Sequence, residues 1–523
     1  MATPVSLREI PQHNIFRKGD TFVLFGELFG RGYANGLVNE ARKAGMTIIG
    51  ITVGRRDENN ALRALTDEEL ATAEANLGGR IINVPLMAGF DLDAPAGAPT
   101  PTDLLGGMTL KSWQDDKLDW AHIEKCREVG VKRFRDGVAT VMARLDGMIA
   151  DGSNVFFAHT MAGGIPKVKV FLAIANRIYK GRGERFMSSR ALLDSDLGKL
   201  CLMNFDEVTA NTFQHLIEGS AAIRARLEKT GGQTRYTAYG YHGTEILIDG
   251  RYQWQTYTNY TQGSAKMRLE RHAEAAWTQG IKATVFNCPE IRTNSSDIFV
   301  GVELSLFPLL RALRKEGDTA WVEAQWLACR DTLLEGQSLE ALLQKIDDYN
   351  ASAVMQTYRN FAAWPMDNSA ELADLMIGTS EEITQMHKDR KMLVTDILSA
   401  LVLEGTGPLM FMEASRPAAP VIWLNHDIIA KQLNRIHGYT EGRFPFRGGA
   451  VSGGFAGGYS RVQSISANLT SSCLCNSSSG SLVPIFSNHS RCRVSSLSHA
   501  ETSTWLSWSN SCWLISVPDQ SIS

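Results

Sequence analysis

Residues 22–57, FVLFGELFGRGYANGLVNEARKAGMTIIGITVGRRD, place three glycines and two arginines where they could do chemistry on phosphate. Gly26-x3-Gly30-x-Gly32 follows an apolar run and precedes a segment of helical pattern at 33–43. Glycines in a strand-to-helix turn let the backbone approach a pyrophosphate, and the helix N-terminus favours its charge. The spacing is GxxxGxG, not the GxGxxG of the general dinucleotide fingerprint. A second apolar run then delivers Gly54, Arg55 and Arg56. An acid at that point would accept bonds from the adenine ribose hydroxyls, whereas arginine pairs with a 2′-phosphate. Arg55 and Arg56 therefore predict NADPH as the cofactor, with NADH as the alternative.

Such a turn needs a parallel sheet behind it. Short, near-continuous apolar runs at 21–25, 47–53, 80–85, 154–159, 235–241 and 283–287 fit strands buried on both faces. They alternate with helical patterns, which predicts an α/β fold: an enlarged Rossmann-type, doubly wound parallel sheet. Two long gaps, 87–150 and 165–234, predict helical insertions. Residues 300–435 read as helical, a C-terminal extension packed on the sheet domain. The expected organisation is thus a catalytic domain over 1–300, a helical extension over 301–440, and a tail over 441–523. From 451 to 523 there are 22 serines and five charged residues, with no helical periodicity. That composition fits a low-complexity or disordered tail, or an out-of-frame translation, and suits no packed domain.

With these elements in place, the residues resemble the short-chain dehydrogenase/reductase superfamily. Thr160-Met161-Ala162-Gly163, ending the fourth strand, is similar to that family's NNAG segment. Pro289-x-Ile291-x-Thr293, after the sixth, is similar to its PGxIxT, with Glu290 in place of the glycine. The resemblance implies that Ala162 and Gly163 border the cofactor and that Pro289, Ile291 and Thr293 hold the nicotinamide carboxamide. The superfamily's YxxxK is absent. In TYTNYTQGSAKMRLE, Lys266 follows Tyr260 by six positions and Tyr257 by nine. The Tyr257-x8-Lys266 spacing resembles the enlarged FabV-type enoyl reductases, while the local string YTQG…AK favours Tyr260. As a whole, residues 5–440 resemble the enoyl-acyl-carrier-protein reductases of the FabMG type.

That resemblance implies reduction of the 2,3-double bond of an enoyl thioester, carried by CoA or acyl carrier protein, in fatty acid synthesis. A tyrosine hydroxyl, Tyr257 or Tyr260, would bind the developing enolate oxygen and supply a proton. Lys266 would lower the phenol pKa and bond the nicotinamide ribose. Asn211 would complete a proton relay. His159 and His242, at strand ends, read as hydrogen-bonding core or rim histidines. A carbonyl/hydroxyl oxidoreductase and a non-catalytic NADP(H)-binding sensor are the competing readings, and the irregular Tyr–Lys spacing speaks against the first.

Composition bounds the rest. A net charge of −3 gives no basic field for nucleic acid. No apolar run reaches 18 residues, so no membrane span is expected, and the N-terminus lacks a signal-peptide pattern. Cytoplasmic is the expected location, and a homo-oligomer is left open. Eight cysteines form no CxxC pair, so no metal is expected.

Overall fold

A computed structural model describes residues 4–438 apart from 29, 31, 167, 241–243, 249, 256–262, 294–299, 358–367 and 391–392. Tyr257, Tyr260, His242 and the 441–523 tail lie outside the described residues. The central element is an eight-stranded sheet in the order β1-β12-β11-β8-β7-β2-β3-β6, with every described pairing parallel. Its strands are β1 (Val5–Ser6), β2 (Thr21–Phe25), β3 (Thr47–Ile51), β6 (Arg80–Ile82), β7 (Val155–His159), β8 (Thr234–Tyr239), β11 (Ala283–Asn287) and β12 (Val421–Trp423). Two ribbons stand apart from it: β4 (Arg55–Arg56) with β5 (Leu62–Arg63), and β9 (Thr244–Ile248) with β10 (Arg251–Gln255). The expected Rossmann-type sheet is therefore present.

After β1 at one edge, the chain enters the middle of the sheet at β2, steps outward through β3 to β6, then returns to β7 and steps the other way, until β12 inserts between β11 and β1. The order reverses between β2 and β7. In open α/β sheets, ligands bind at the carboxyl ends of the strands beside such a reversal. Strand periodicity sorts β2 cleanly. Phe22 and Leu24 join the core on one face, and Val23 and Phe25 the core on the other.

Six helices matter below: α1 (Tyr33–Lys43), α2 (Asp67–Leu77), α3 (Thr212–Gly219), α4 (Gly263–Thr278), α5 (Val394–Ser415) and α6 (His426–His437). By length and composition α5 could cross a bilayer, with a mean hydropathy of 1.3. It is instead a core helix, 67% buried. It crosses α1 at a glycine pair. A Cβ on Gly36 would lie 2.6 Å from Gly407 Cα, and one on Gly407 would lie 2.8 Å from Gly36 Cα.

The 301–440 region departs from its expected all-helical character. Val421–Trp423 enters the main sheet between β1 and β11. A three-residue strand is too short to print a period on the sequence. The extension therefore completes the sheet as well as covering it.

The Gly36–Gly407 contact is backbone on backbone, so neither side can move aside cheaply. Gly36→Ala should lower stability by about 1–3 kcal/mol through overpacking. Gly438→Ala, whose new Cβ meets nothing nearer than 4.0 Å, should change it by less than about 0.5 kcal/mol. Urea midpoints for both variants test this; an unshifted Gly36→Ala midpoint would show that the helices are not in contact.

Candidate active site

The carboxyl ends of β2 and β7 meet at Gly26 and Thr160. Thr160 N–H donates to the Phe25 carbonyl at 2.9 Å. Gly26 has φ +128°, and a Cβ there would fall 2.3 Å from Thr160 Oγ1. Only glycine fits this position. Gly30 and Gly32 have a different reason to be small. A Cβ on either would enter open space beside the α1 N-terminus. Gly32 is the N-cap of α1 and offers no side-chain acceptor to the first N–H groups, and the first turn has no acid. The end of α1 is therefore suited to an anion.

Both arginines are engaged within the protein. Arg55 makes a two-pronged bond to Glu27, Nη2 to Oε1 at 2.8 Å and Nη1 to Oε2 at 3.1 Å. Arg56 Nη1 donates to the Asn60 carbonyl at 2.6 Å. Both lie in the β4–β5 ribbon rather than in a free turn. Arg55 lines a cavity of about 400 Å³ together with Gly26, Glu27, Thr52, Glu68 and Glu69. Glu69 is held ionised, its pKa drawn down to about 2 chiefly by the bond from Arg63. The cavity is thus lined by three carboxylates, of which Glu27 is paired with Arg55 and Glu69 with Arg63. Sequence reading passed over Glu27, although it stands next to the first glycine of the motif.

The loop after β7 is held from the helical insertion. Gly163 N–H donates to Thr209 Oγ1 at 3.2 Å, and that hydroxyl donates back to the Gly163 carbonyl at 3.1 Å. Asn204, fully buried, donates to the Gly164 carbonyl at 2.8 Å and accepts from Phe90 N–H at 2.9 Å. Ala162, just before Gly163, is exposed. Thr209 and Asn204 are positioning residues that no sequence spacing announced.

Lys266, in the first turn of α4, is buried, and its Nζ donates to the Tyr239 carbonyl at the end of β8, 2.7 Å away. An ammonium has three donors, so two are left without a partner among the described residues. Burial pulls the Lys266 pKa down to about 8, with Glu270 opposing it. Glu270 accepts from Asn287 Nδ2 at 2.7 Å, which ties α4 to the end of β11.

Asn211 ends a π-helical turn, Asp206–Asn211, of a kind often found near functional sites. Its Oδ1 lies 3.1 Å from His272 Nε2. His272 is six residues beyond Lys266, or about 9 Å along the helix. His159 is a core histidine: Nε2 lies 2.7 Å from Thr212 Oγ1, and the ring stacks on Phe25. Burial first, then the Lys266 charge, lowers its pKa to about 3, so it is neutral.

Pro289, Ile291 and Thr293 leave the end of β11. The Tyr33 hydroxyl donates to the Pro289 carbonyl at 2.5 Å, linking this loop to the first residue of α1. Ile291 and Glu290 are buried. The glycine turn, the β7 loop, Lys266 and the β11 loop thus share the carboxyl edge of the sheet. Among the described residues no group of His, Cys, Asp or Glu is arranged to hold a metal.

Lys266 carries a sign-definite pH signature. Its folded pKa near 8 is below the unfolded 10.5, so between these values the unfolded chain binds more protons and stability rises with pH. The gain is absent below pH 8 and complete above about 10.5. Relative to Lys266→Met, wild-type stability should climb across that window by on the order of 3 kcal/mol. Parallel pH series of urea midpoints measure it; a flat difference would mean that the ammonium is solvated.

The family model for the enoyl-acyl carrier protein reductase FabMG matches residues 3–433. An apo structure of FabMG is 83% identical, with a TM-score of 0.82; the match covers 84% of this chain and 100% of that one. An NADH-bound structure of FabMG is 71% identical over the same shares of the two chains, with a TM-score of 0.68. No curated protein matches the chain.

Proposed function

The chain belongs to the FabMG family of enoyl-acyl carrier protein reductases, which reduce the 2,3-double bond of an enoyl thioester with a nicotinamide nucleotide, and from this premise we propose that it uses NADH on carrier-bound substrate. The observation that carries the cofactor choice is the Glu27–Arg55 pair. It replaces the expected NADPH reading of Arg55 and Arg56. A ribose 2′-hydroxyl can donate to a carboxylate, whereas a phosphate there is repelled. The similar FabMG chain with bound NADH supports the same choice. The acyl carrier protein is the partner that the family implies, and a soluble partner fits a cytoplasmic enzyme.

Bound NADH would supply a hydride to the substrate β-carbon. The N-terminus of α1, with Gly30 and Gly32, would hold its pyrophosphate; Ala162 and Gly163 would border it; Pro289, Ile291 and Thr293 would fix the carboxamide. As the β-carbon is reduced, charge moves to the thioester oxygen. The hydroxyl of Tyr257 or Tyr260 would stabilise that oxygen and supply the proton. Lys266, anchored to the Tyr239 carbonyl, has donors to spare for the nicotinamide ribose and keeps positive charge near the phenol. Asn211 is proposed only as a more distant support, through His272 and α4.

Two measurements test the reading. Following the absorbance of the reduced nucleotide with crotonyl thioesters, kcat/KM with NADH should exceed that with NADPH at least about tenfold, the scale of one lost charged hydrogen bond. Glu27→Gln, which frees Arg55, should narrow the gap. Equal use of both nucleotides by the wild type would end the NADH assignment. Next, either Tyr257→Phe or Tyr260→Phe, not both equally, should lower kcat about 10²–10³-fold, the loss expected for one oxyanion donor. If both variants keep wild-type turnover, the acid lies elsewhere.

A further inference from the structure

We propose that Tyr33 and the Arg292–Asp396 pair are positioning residues that set the nicotinamide end of the cofactor. The proposal rests on the reading that Pro289, Ile291 and Thr293 hold the carboxamide. Residues 288–293 have no regular secondary structure, and side-chain bonds from two elements brace them. From α1, the Tyr33 hydroxyl donates to the Pro289 carbonyl at 2.5 Å. From α5, Ser399 Oγ accepts the Arg292 N–H at 2.9 Å, and Asp396 Oδ2 accepts from Arg292 Nη1 at 3.0 Å. Asp396 Oδ2 also takes the Leu393 N–H at 3.3 Å, and Ser399 donates to the Thr395 carbonyl at 2.6 Å, so both acceptors are themselves oriented by α5.

Arg292 stands between Ile291 and Thr293, so a shift of its backbone passes to both. The Arg292 and Asp396 side chains are 31% and 30% exposed. A pair that open to water adds little to stability. Its worth lies in geometry, because hydride transfer needs the reacting carbons held within a few tenths of an ångström. Tyr33 is also the first residue after the glycine turn, so its hydroxyl couples the pyrophosphate end of the site to the carboxamide end.

The experiment compares NADH with ADP-ribose, which has the adenosine, pyrophosphate and second ribose but no nicotinamide. Dissociation constants for both are measured on the full chain for wild type, Tyr33→Phe, Arg292→Met, Asp396→Asn and the Arg292→Met/Asp396→Asn double variant. NADH should weaken about five- to tenfold in each single variant, the scale of one or two aligned hydrogen bonds. ADP-ribose should stay within about twofold. The double variant should be no worse than the poorer single one, because both act through one pair. Equal weakening of the two ligands would reveal a general structural role and overturn the proposal. So would unchanged NADH binding in all variants with the wild-type preference for NADH intact. If wild type itself binds NADH no better than ADP-ribose, the carboxamide reading fails and takes the proposal with it.

Discussion

Two helix backbones touch where Gly36 meets Gly407, and the cofactor edge of the molecule depends on how closely they approach. With any side chain at either position the helices would stand further apart. That separation would carry the N-terminus of α1 away from the carboxyl end of β2. It would also move α5, which through Asp396 and Ser399 holds the loop after β11. One contact therefore sets the distance between the glycine turn before α1 and the loop after β11. The extension that carries Gly407 cannot be an accessory, since it also contributes β12 and α6.

Polar groups finish what the close approach begins, at both ends of the sheet. At the amino ends of the strands, the buried Asp20 carboxylate accepts the N–H of Arg17, the N–H of Asn154 and the Asn154 side-chain amide. Asn154 in turn accepts from Gln233 N–H. This knot ties β2, β7 and β8 together on the side away from the chemistry. At the carboxyl ends the bonds include Lys266 to Tyr239, Glu270 to Asn287 and Tyr33 to Pro289. An edge built this way keeps donors such as the Lys266 ammonium available for a ligand, and burial is the cost. A lysine drawn down to about 8 is far easier to deprotonate than one on the surface.

The sheet was largely legible because its strands are buried on both faces and so appear as continuous apolar runs. β2 and β11 fall on the residues the pattern marked, and β3, β6, β7 and β8 within a few residues of it. What escaped was short or depended on distant partners. β1 and β12 have two and three residues and exist only because they pair with each other and with β11. The β9–β10 ribbon carried a signal that was not used, an Asp-Gly step between β-branched and aromatic runs, which favours a tight hairpin turn. The partner of Arg55 was hidden for a different reason. The arginine's own position suggested a phosphate partner, yet the group that claims its guanidinium is Glu27, 28 residues earlier. Spacing along a chain records what a residue is near in sequence; an ion pair formed across two strand ends leaves no such record.

The glycine crossing also bears on how the chain is made. Gly36 and Gly407 are about 370 residues apart, and β1 waits for β12 across a still longer interval. At roughly 5–20 residues per second, about 20–70 s of synthesis separate the two glycines. Through that time α1 has no α5 to cover it, and the apolar face formed by Leu37, Val38 and Ala41 has only the early strands to lean on. The last native contacts of this sheet are thus postponed until nearly the whole reductase has left the ribosome, and the half-built domain must be kept from its neighbours on the polysome in the meantime.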